Sequence, residues 1–105
     1  MPFTVKLSRA DLALIHLDQA LAIPDHEFVL VQGIADLVVL GPKEVWLLDF
    51  KTDNITAEEL EARTAIYRPQ IALYSLALER IYNRPVKRAA LYFLALRQII
   101  QIIWT

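Results

Sequence analysis

Asp36, Asp49 and Lys51 are the residues of this chain whose types and spacing suggest chemistry. Asp36 interrupts Ile34-Ala35-Asp36-Leu37-Val38-Val39-Leu40, and Asp49 interrupts Val45-Trp46-Leu47-Leu48-Asp49-Phe50, with Lys51 following. Carboxylates are rarely buried unless paired or metal-bound. Two in the most apolar part of a small chain need a cation, and Lys51 supplies one charge for two. Residues i and i+2 of a strand share a face, so Asp49 and Lys51 point one way and Trp46, Leu48 and Phe50 the other. With Asp36 on the partner strand of a hairpin, the two carboxylates are expected to meet. Mg²⁺ takes about six oxygens near ~2.1 Å, typically one or two carboxylates plus waters and phosphate oxygens. Asp36, Asp49 and the backbone carbonyl of Phe50 are therefore the expected ligands of Mg²⁺ (or Mn²⁺). Such an ion lowers the pKa of a bound water and neutralises charge on a phosphate. Lys51 would orient that water or offset charge on the pentacovalent phosphorus. The opposing reading of Asp49 and Lys51 is an edge-strand ion pair facing water, which is common and weakly stabilising.

The elements that must position these groups follow from the patterning. Phe3 to Leu7 alternates as a half-buried strand. Ser8 is placed to cap a helical turn over Ala10-Asp11-Leu12, and Pro24-Asp25 marks a turn. Glu27 to Leu40 gives one long strand signal, in which Gly33 suggests a bulge or a close backbone approach. The short link Gly41-Pro42-Lys43 joins it to the strand Glu44 to Lys51 as an antiparallel hairpin. Thr56 with Glu59 forms a capping-box pattern. Pro69 is expected to divide the helical region into a piece over 57–64 and a main helix over 68–82, with Pro69 in the first turn of the latter. Lys87 to Leu96 reads as a further strand, and Gln98 to Trp104 extends or follows it. The expected order is β-β-β-α-β: an α/β (α+β) fold, with a helix packed on one face of a mixed sheet. The main helix is apolar nearly all round, from Ile71 to Ile81, whereas a surface helix shows one apolar stripe. It is expected to need cover on two sides, and the second cover is expected to lie outside this sequence.

The totals narrow the field. At 105 residues the chain is expected to be one domain. Its hydrophobic fraction of 56% exceeds the usual ~45–50%, enough for a core and for apolar surface besides. Net charge is −1, from 11 basic and 12 acidic residues, so no basic tail announces nucleic-acid binding. If DNA is the substrate, most phosphate contacts must come from metal ions or other parts of a larger protein. There are no cysteines, which excludes disulfides, thiolate zinc sites and cysteine-ligated iron–sulfur clusters. The N-terminus has no signal-peptide pattern, and no apolar run reaches the ~18 residues of a membrane span. A cytoplasmic location, away from membranes, is the expectation.

Val31-Gln32-Gly33-Ile34-Ala35-Asp36, Asp49-Phe50-Lys51-Thr52-Asp53 and Tyr67-Arg68-Pro69-Gln70-Ile71-Ala72-Leu73-Tyr74 stand in this order. They resemble the Gly-x-x-Asp, Asp-x-Lys and Gln-x-x-x-Tyr motifs of RecB-type nuclease domains of the PD-(D/E)XK superfamily. The wording is closest to the C-terminal nuclease domains of AddA-type (RexA-type) helicase–nuclease subunits, over about residues 27–96. The resemblance implies a restriction-endonuclease-like core and a metal-dependent deoxyribonuclease, acting as an exonuclease domain in the repair of double-strand breaks. It implies metal-binding roles for Asp36 and Asp49, a catalytic role for Lys51, and places for Gln70 and Tyr74 on the helix beside the site. The implied partners are DNA, an ATP-dependent helicase portion of the parent chain and a second helicase–nuclease subunit.

The chain also departs from that pattern. Related domains usually begin with a helix bearing a further active-site residue, often a histidine. No such helix is evident, and His16 and His26 lie close to Asp36 in loop-like contexts. The expectation is an N-terminally truncated domain of low activity by itself, which self-associates when isolated. Gln70 and Tyr74 also fit ordinary packing at i, i+4 spacing, and Trp46 and Trp104 fit core or interface. The alternative function is a non-catalytic DNA-binding or scaffold domain of the same fold. A Cas4-like exonuclease would commonly carry cluster cysteines, which are lacking here.

Overall fold

A computed structural model describes residues 1–17, 24 and 26–102. The elements are β1 (Pro2–Ser8), α1 (Arg9–Ala13), β2 (Phe28–Ile34), β3 (Leu37–Leu40), β4 (Val45–Lys51), a 3₁₀ turn (Ala57–Glu59), α2 (Leu60–Tyr82), β5 (Val86–Phe93) and β6 (Gln98–Gln101). Ser8 caps α1 as its sequence suggests. Its Oγ accepts from the Asp11 N–H at 3.1 Å, and Asp11 Oδ2 accepts from the Ser8 N–H at 2.8 Å. Trp104 and Asp25 lie outside the described residues.

The strand signal over 27–40 is two strands in two sheets. β2 pairs antiparallel with β1, from Phe28↔Ser8 to Ile34↔Pro2. β3 pairs antiparallel with β4, from Leu37↔Leu48 to Leu40↔Val45. The break falls at Ala35-Asp36. There the Ala35 N–H still bonds the Met1 carbonyl at 2.8 Å, while the Asp36 carboxylate accepts the Phe50 N–H at 2.9 Å. A side chain that bonds nearby backbone offers the chain an alternative to the ladder. Asp36 does so at the point where the chain leaves one sheet for the other. Gly33 supplies a close approach: a Cβ there would lie 2.7 Å from Tyr74 Cζ and 2.8 Å from Phe3 Cζ.

The main sheet is mixed, in the order β3-β4-β5-β6. β4 and β5 run parallel, joined through α2, and β6 returns antiparallel to β5. The helical region is not divided. α2 runs unbroken through Pro69 after the 3₁₀ turn. An interior proline removes one helical bond and crowds the carbonyl four residues back, at about 3 kcal/mol. Both Pro69 and Ala65 are exposed, so the freed carbonyl faces water. Thr64 and Ile71 are buried on either side of the proline, and their burial holds both halves to the same core. Asn83, in the left-handed region at φ 54°, ends the helix.

The second cover for α2 comes from within the chain. Phe3, Leu7, Leu12, Ile15 and Val31 join Ile71, Ala72, Leu76, Leu78, Leu91 and Phe93 in one core. Of the elements that carry these residues, β1 packs directly on α2, and α1 and β2 pack on β1. Exposed apolar residues remain on α2 (Ile66, Ile81) and on β2 (Phe28, Leu30, Ile34), and a further set lies on the outer face of the main sheet. Leu37, Val39, Trp46, Phe50 and Ile99 are all exposed, and several of them line a groove of about 260 Å³. Among the described residues no helix is long and apolar enough to cross a membrane.

Candidate active site

The β3–β4 register brings the acids together. Leu37 pairs with Leu48, so one step further sets Asp36 opposite Asp49. Opposed residues of an antiparallel pair share a face. On β4 that face carries Val45, Leu47 and Asp49, all buried, while Trp46 and Phe50 are exposed on the other. Asp49 and Lys51 thus point toward α2, and their carboxylate and ammonium lie on the side of the core. The two carboxyl groups of Asp36 and Asp49 interact directly. Asp36 is exposed, however, where the sequence suggests burial. It sits at the bend between sheets, outside the ladder, and only Asp49 is enclosed.

Lys51 is enclosed with it. Nζ lies 2.6 Å from Asp49 Oδ2 and donates to Gln70 Oε1 at 3.0 Å. The ion pair is buried rather than facing water, since β4 is an inner strand and α2 covers it. The contact of Nζ with Oδ2 is ionic, and this buried oxygen makes no well-directed hydrogen bond. Gln70 therefore meets the site through Lys51. Tyr74, one turn on, packs edge-on against Phe3, with ring centroids 5.0 Å apart, and fills the space above Gly33.

The electrostatics are those of a site with surplus negative charge. Burial, and next the neighbouring Asp36, push the Asp49 carboxyl above its ordinary value, although Lys51 pulls it down. The contact with Asp49, and next the Phe50 N–H, hold Asp36 below the ordinary value. Two acids so placed titrate as a coupled pair. A divalent cation fits this donor set. Asp36 and Asp49 offer carboxylate oxygens, and one Asp49 oxygen is buried without a directed hydrogen bond. The Phe50 N–H points at Asp36, and a strand residue's carbonyl points to the same side as its N–H, so the Phe50 carbonyl faces this edge too. Among the described residues no cluster of three or more His, Cys, Asp or Glu side chains is present. Two carboxylates and one carbonyl, completed by waters and substrate oxygens, suit Mg²⁺ better than Zn²⁺.

A family model described as the PD-(D/E)XK nuclease superfamily matches residues 3–101. The chain belongs to the PD-(D/E)XK nuclease superfamily. Its curated relatives include an ATP-dependent helicase/nuclease subunit of the AddA type from Syntrophomonas wolfei, 40% identical over 77% of this chain and 7% of that protein. The corresponding helicase/nuclease protein of Moorella thermoacetica is 47% identical over 65% of this chain and 5% of that protein. That of Oceanobacillus iheyensis is 29% identical over 97% of this chain and 8% of that protein. The chain thus spans less than a tenth of the length of these relatives.

In this PD-(D/E)XK domain three residues beside the site stand outside the roles read from the sequence. Asp53 Oδ2 accepts from the Tyr67 hydroxyl at 2.7 Å and from Arg63 Nη1 at 2.9 Å. Tyr67 turns its ring face to Lys51, with Nζ 4.0 Å from the centroid. The hydrogen bond from Tyr67, and next burial and Arg63, set the Asp53 carboxyl by lowering it on balance. The same bond raises the Tyr67 phenol. The sequence does carry a signal for this cluster. Arg63, Tyr67, Gln70 and Tyr74 follow each other at spacings of four, three and four, one stripe of a helix, and Asp53 closes the Asp-Phe-Lys-Thr-Asp motif. His16 and His26 are exposed, and His26 pairs with Glu27 at 3.6 Å.

Proposed function

We propose that this chain is the nuclease domain of an ATP-dependent helicase–nuclease and that it hydrolyses DNA phosphodiesters with Mg²⁺ (or Mn²⁺). The observation that carries this reading is the opposition of Asp36 and Asp49 at the end of one hairpin, with the Lys51 ammonium against Asp49. Asp36, Asp49 and the Phe50 carbonyl would hold the ion. When bound, it supplies a water of lowered pKa and charge neutralisation at phosphate. Lys51 is the group that meets charge developing on phosphorus, Gln70 fixes its direction, and Tyr74 supports the strand pair at Gly33. The names of the relatives support a place in a longer chain with a helicase portion. DNA repair in the cytoplasm, in company with a second helicase–nuclease protein, fits that place.

The test pairs binding with cleavage. Calorimetric titration of Mg²⁺ and Mn²⁺ into wild type and Asp49→Asn is expected to show binding only to wild type. Cleavage of labelled single- and double-stranded DNA should follow the same pattern. Equal DNA binding by both proteins without cleavage by either, and without metal binding, would replace this reading with the non-catalytic DNA-binding one.

A further inference from the structure

We propose that Tyr67 is a positioning residue for Lys51, and that Asp53 and Arg63 hold Tyr67 to that task. The placement rests on five contacts. Nζ of Lys51 has an acidic oxygen at 2.6 Å, an amide oxygen at 3.0 Å and the Tyr67 ring at 4.0 Å from its centroid. An ammonium has three N–H donors; one is directed at Gln70, and the Asp49 carboxylate and the Tyr67 ring hold the group from two other sides. The ring is itself tethered by a charged group, through the 2.7 Å bond from the Tyr67 hydroxyl to Asp53. Arg63 grips that same Asp53 oxygen at 2.9 Å.

The chemistry of the tether strengthens the contact. A phenol that donates to a carboxylate gains electron density on its ring. The negative face of the ring is what attracts a cation, and bonded groups polarise one another in a shielded site. The order Arg63⁺, Asp53⁻, Tyr67, Lys51⁺ therefore alternates in sign from the surface inward. Packing alone does not require it. The contact of Tyr67 with Phe93, at 6.3 Å between centroids, uses the ring and not the hydroxyl. The chain contains an internal comparison as well. Lys6 stands 5.0 Å from the centroid of Phe28, a ring with no hydroxyl to tether.

The role in catalysis rests on the nuclease reading above, but the placement of the ammonium does not. The experiment therefore has two arms. In the first, the chain is labelled at lysine Cε and its four lysine ε-methylene signals are assigned by single Lys→Arg replacements. Ring current should set the Lys51 signal upfield of those of Lys43 and Lys87. Tyr67→Phe keeps the ring and its packing on Phe93 but loses the tether, and should move the Lys51 signal back toward theirs while leaving that of Lys6 in place. Asp53→Asn, which loses the charge, should move it in the same direction by less. A Lys51 signal unchanged in Tyr67→Phe would overturn the proposal, because a purely packed tyrosine predicts that result. In the second arm, DNA cleavage by Tyr67→Phe should lose about tenfold to a hundredfold in kcat, the scale of a small misplacement, with KM unchanged. A loss confined to KM would assign Tyr67 to substrate binding and also overturn the proposal. The cleavage arm uses the domain within its parent helicase–nuclease chain; if that wild type cuts no DNA, the nuclease reading fails, and the first arm still decides whether Tyr67 places the ammonium.

Discussion

Asp11 and Asp49 are both buried, at 8% and 6% exposure, and both lie against a cation. Their surroundings differ in one respect. Asp11 has one oxygen on the Ser8 N–H and the other paired with Arg80 of α2. Its charge is matched, and its work is to cap α1 and bind it to the long helix. Asp49 has Lys51 on one side and a second acid, Asp36, on the other. Lys51 pairs with Asp49 and the N-terminal ammonium pulls only weakly on Asp36, while the buried oxygen of Asp49 has no directed hydrogen bond. Burial and an ion pair are therefore not what sets the proposed metal site apart. Unbalanced charge, held in place by a rigid hairpin, is.

The largest effect that can break this comparison is on cleavage. Asp49→Ala and Asp36→Ala should bring DNA cleavage below detection. Lys51→Ala should reduce kcat by roughly 10²–10³-fold, the range for loss of one group that meets transition-state charge. Asp11→Ala should leave cleavage per folded molecule unchanged. Equal losses at Asp11 and Asp49, measured well below both melting transitions, would erase the distinction.

Divalent ions give the next effect. At a hundred times its Kd, Mg²⁺ should stabilise wild type and Asp11→Asn by about 2.7 kcal/mol. Asp49→Asn should gain nothing, as read from urea unfolding with and without the ion. Without metal, Asp11→Ala should lose about 1–2 kcal/mol through its cap. Half-exposed Arg80 adds little to that loss, because solvent screens its pair. A melt of Asp11→Ala identical to wild type would deny Asp11 its structural role.

The smallest effects concern the acid pair without metal. Asp36→Asn keeps an oxygen for the Phe50 N–H and removes the charge facing Asp49. It should therefore reduce the upward shift of the Asp49 carboxyl on folding, as read from an NMR titration of that carboxyl carbon. The pH dependence has a definite sign. Asp49, raised on folding, stabilises fully below its unfolded value, and that contribution disappears as pH rises through the raised one. Asp36, lowered on folding, stabilises above its unfolded value, and that contribution disappears as pH falls through the lowered one. Relative to Asp49→Asn, wild type should therefore gain stability on acidification from neutrality through the Asp49 value, then lose part of it at lower pH. A difference that stays flat across this range in urea titrations would show that the two acids do not interact.

Much of this site was legible in the sequence because its residues are close in the chain. The i, i+2 rule placed Asp49 and Lys51 on one face, and the short Gly41-Pro42-Lys43 link fixed the hairpin that carries Asp36. Gly33 announced the close approach that Tyr74 and Phe3 make. What was not legible depends on distant parts of the chain. The run over 27–40 is strongly apolar on both sides of Asp36, so nothing local marks the change of sheet there or the exposure of Asp36. Pro69 signals a break, but packing of Thr64 and Ile71 on a common core overrides it. The apolar girth of α2 correctly called for two covers, yet nothing in its own residues says that β1, α1 and β2 supply the second. The grip of Tyr67 on Asp53 joins a loop to a helix, and the helical stripe through Tyr67 marks its face without naming its partner in the loop.

The parallel pairing of β4 with β5 has a consequence for the order in which the molecule assembles. Asp36, Asp49 and Lys51 belong to one hairpin, and hairpins close within about 1–10 μs. Gln70 and Tyr67 reach Lys51 only when the crossover through α2 lays β5 beside β4, a non-local contact that slows folding. The acids are therefore gathered first and the ammonium is oriented last. A chain interrupted before residue 60 would carry the carboxylates but not the geometry. Whatever chemistry the hairpin performs is reserved for the completed fold.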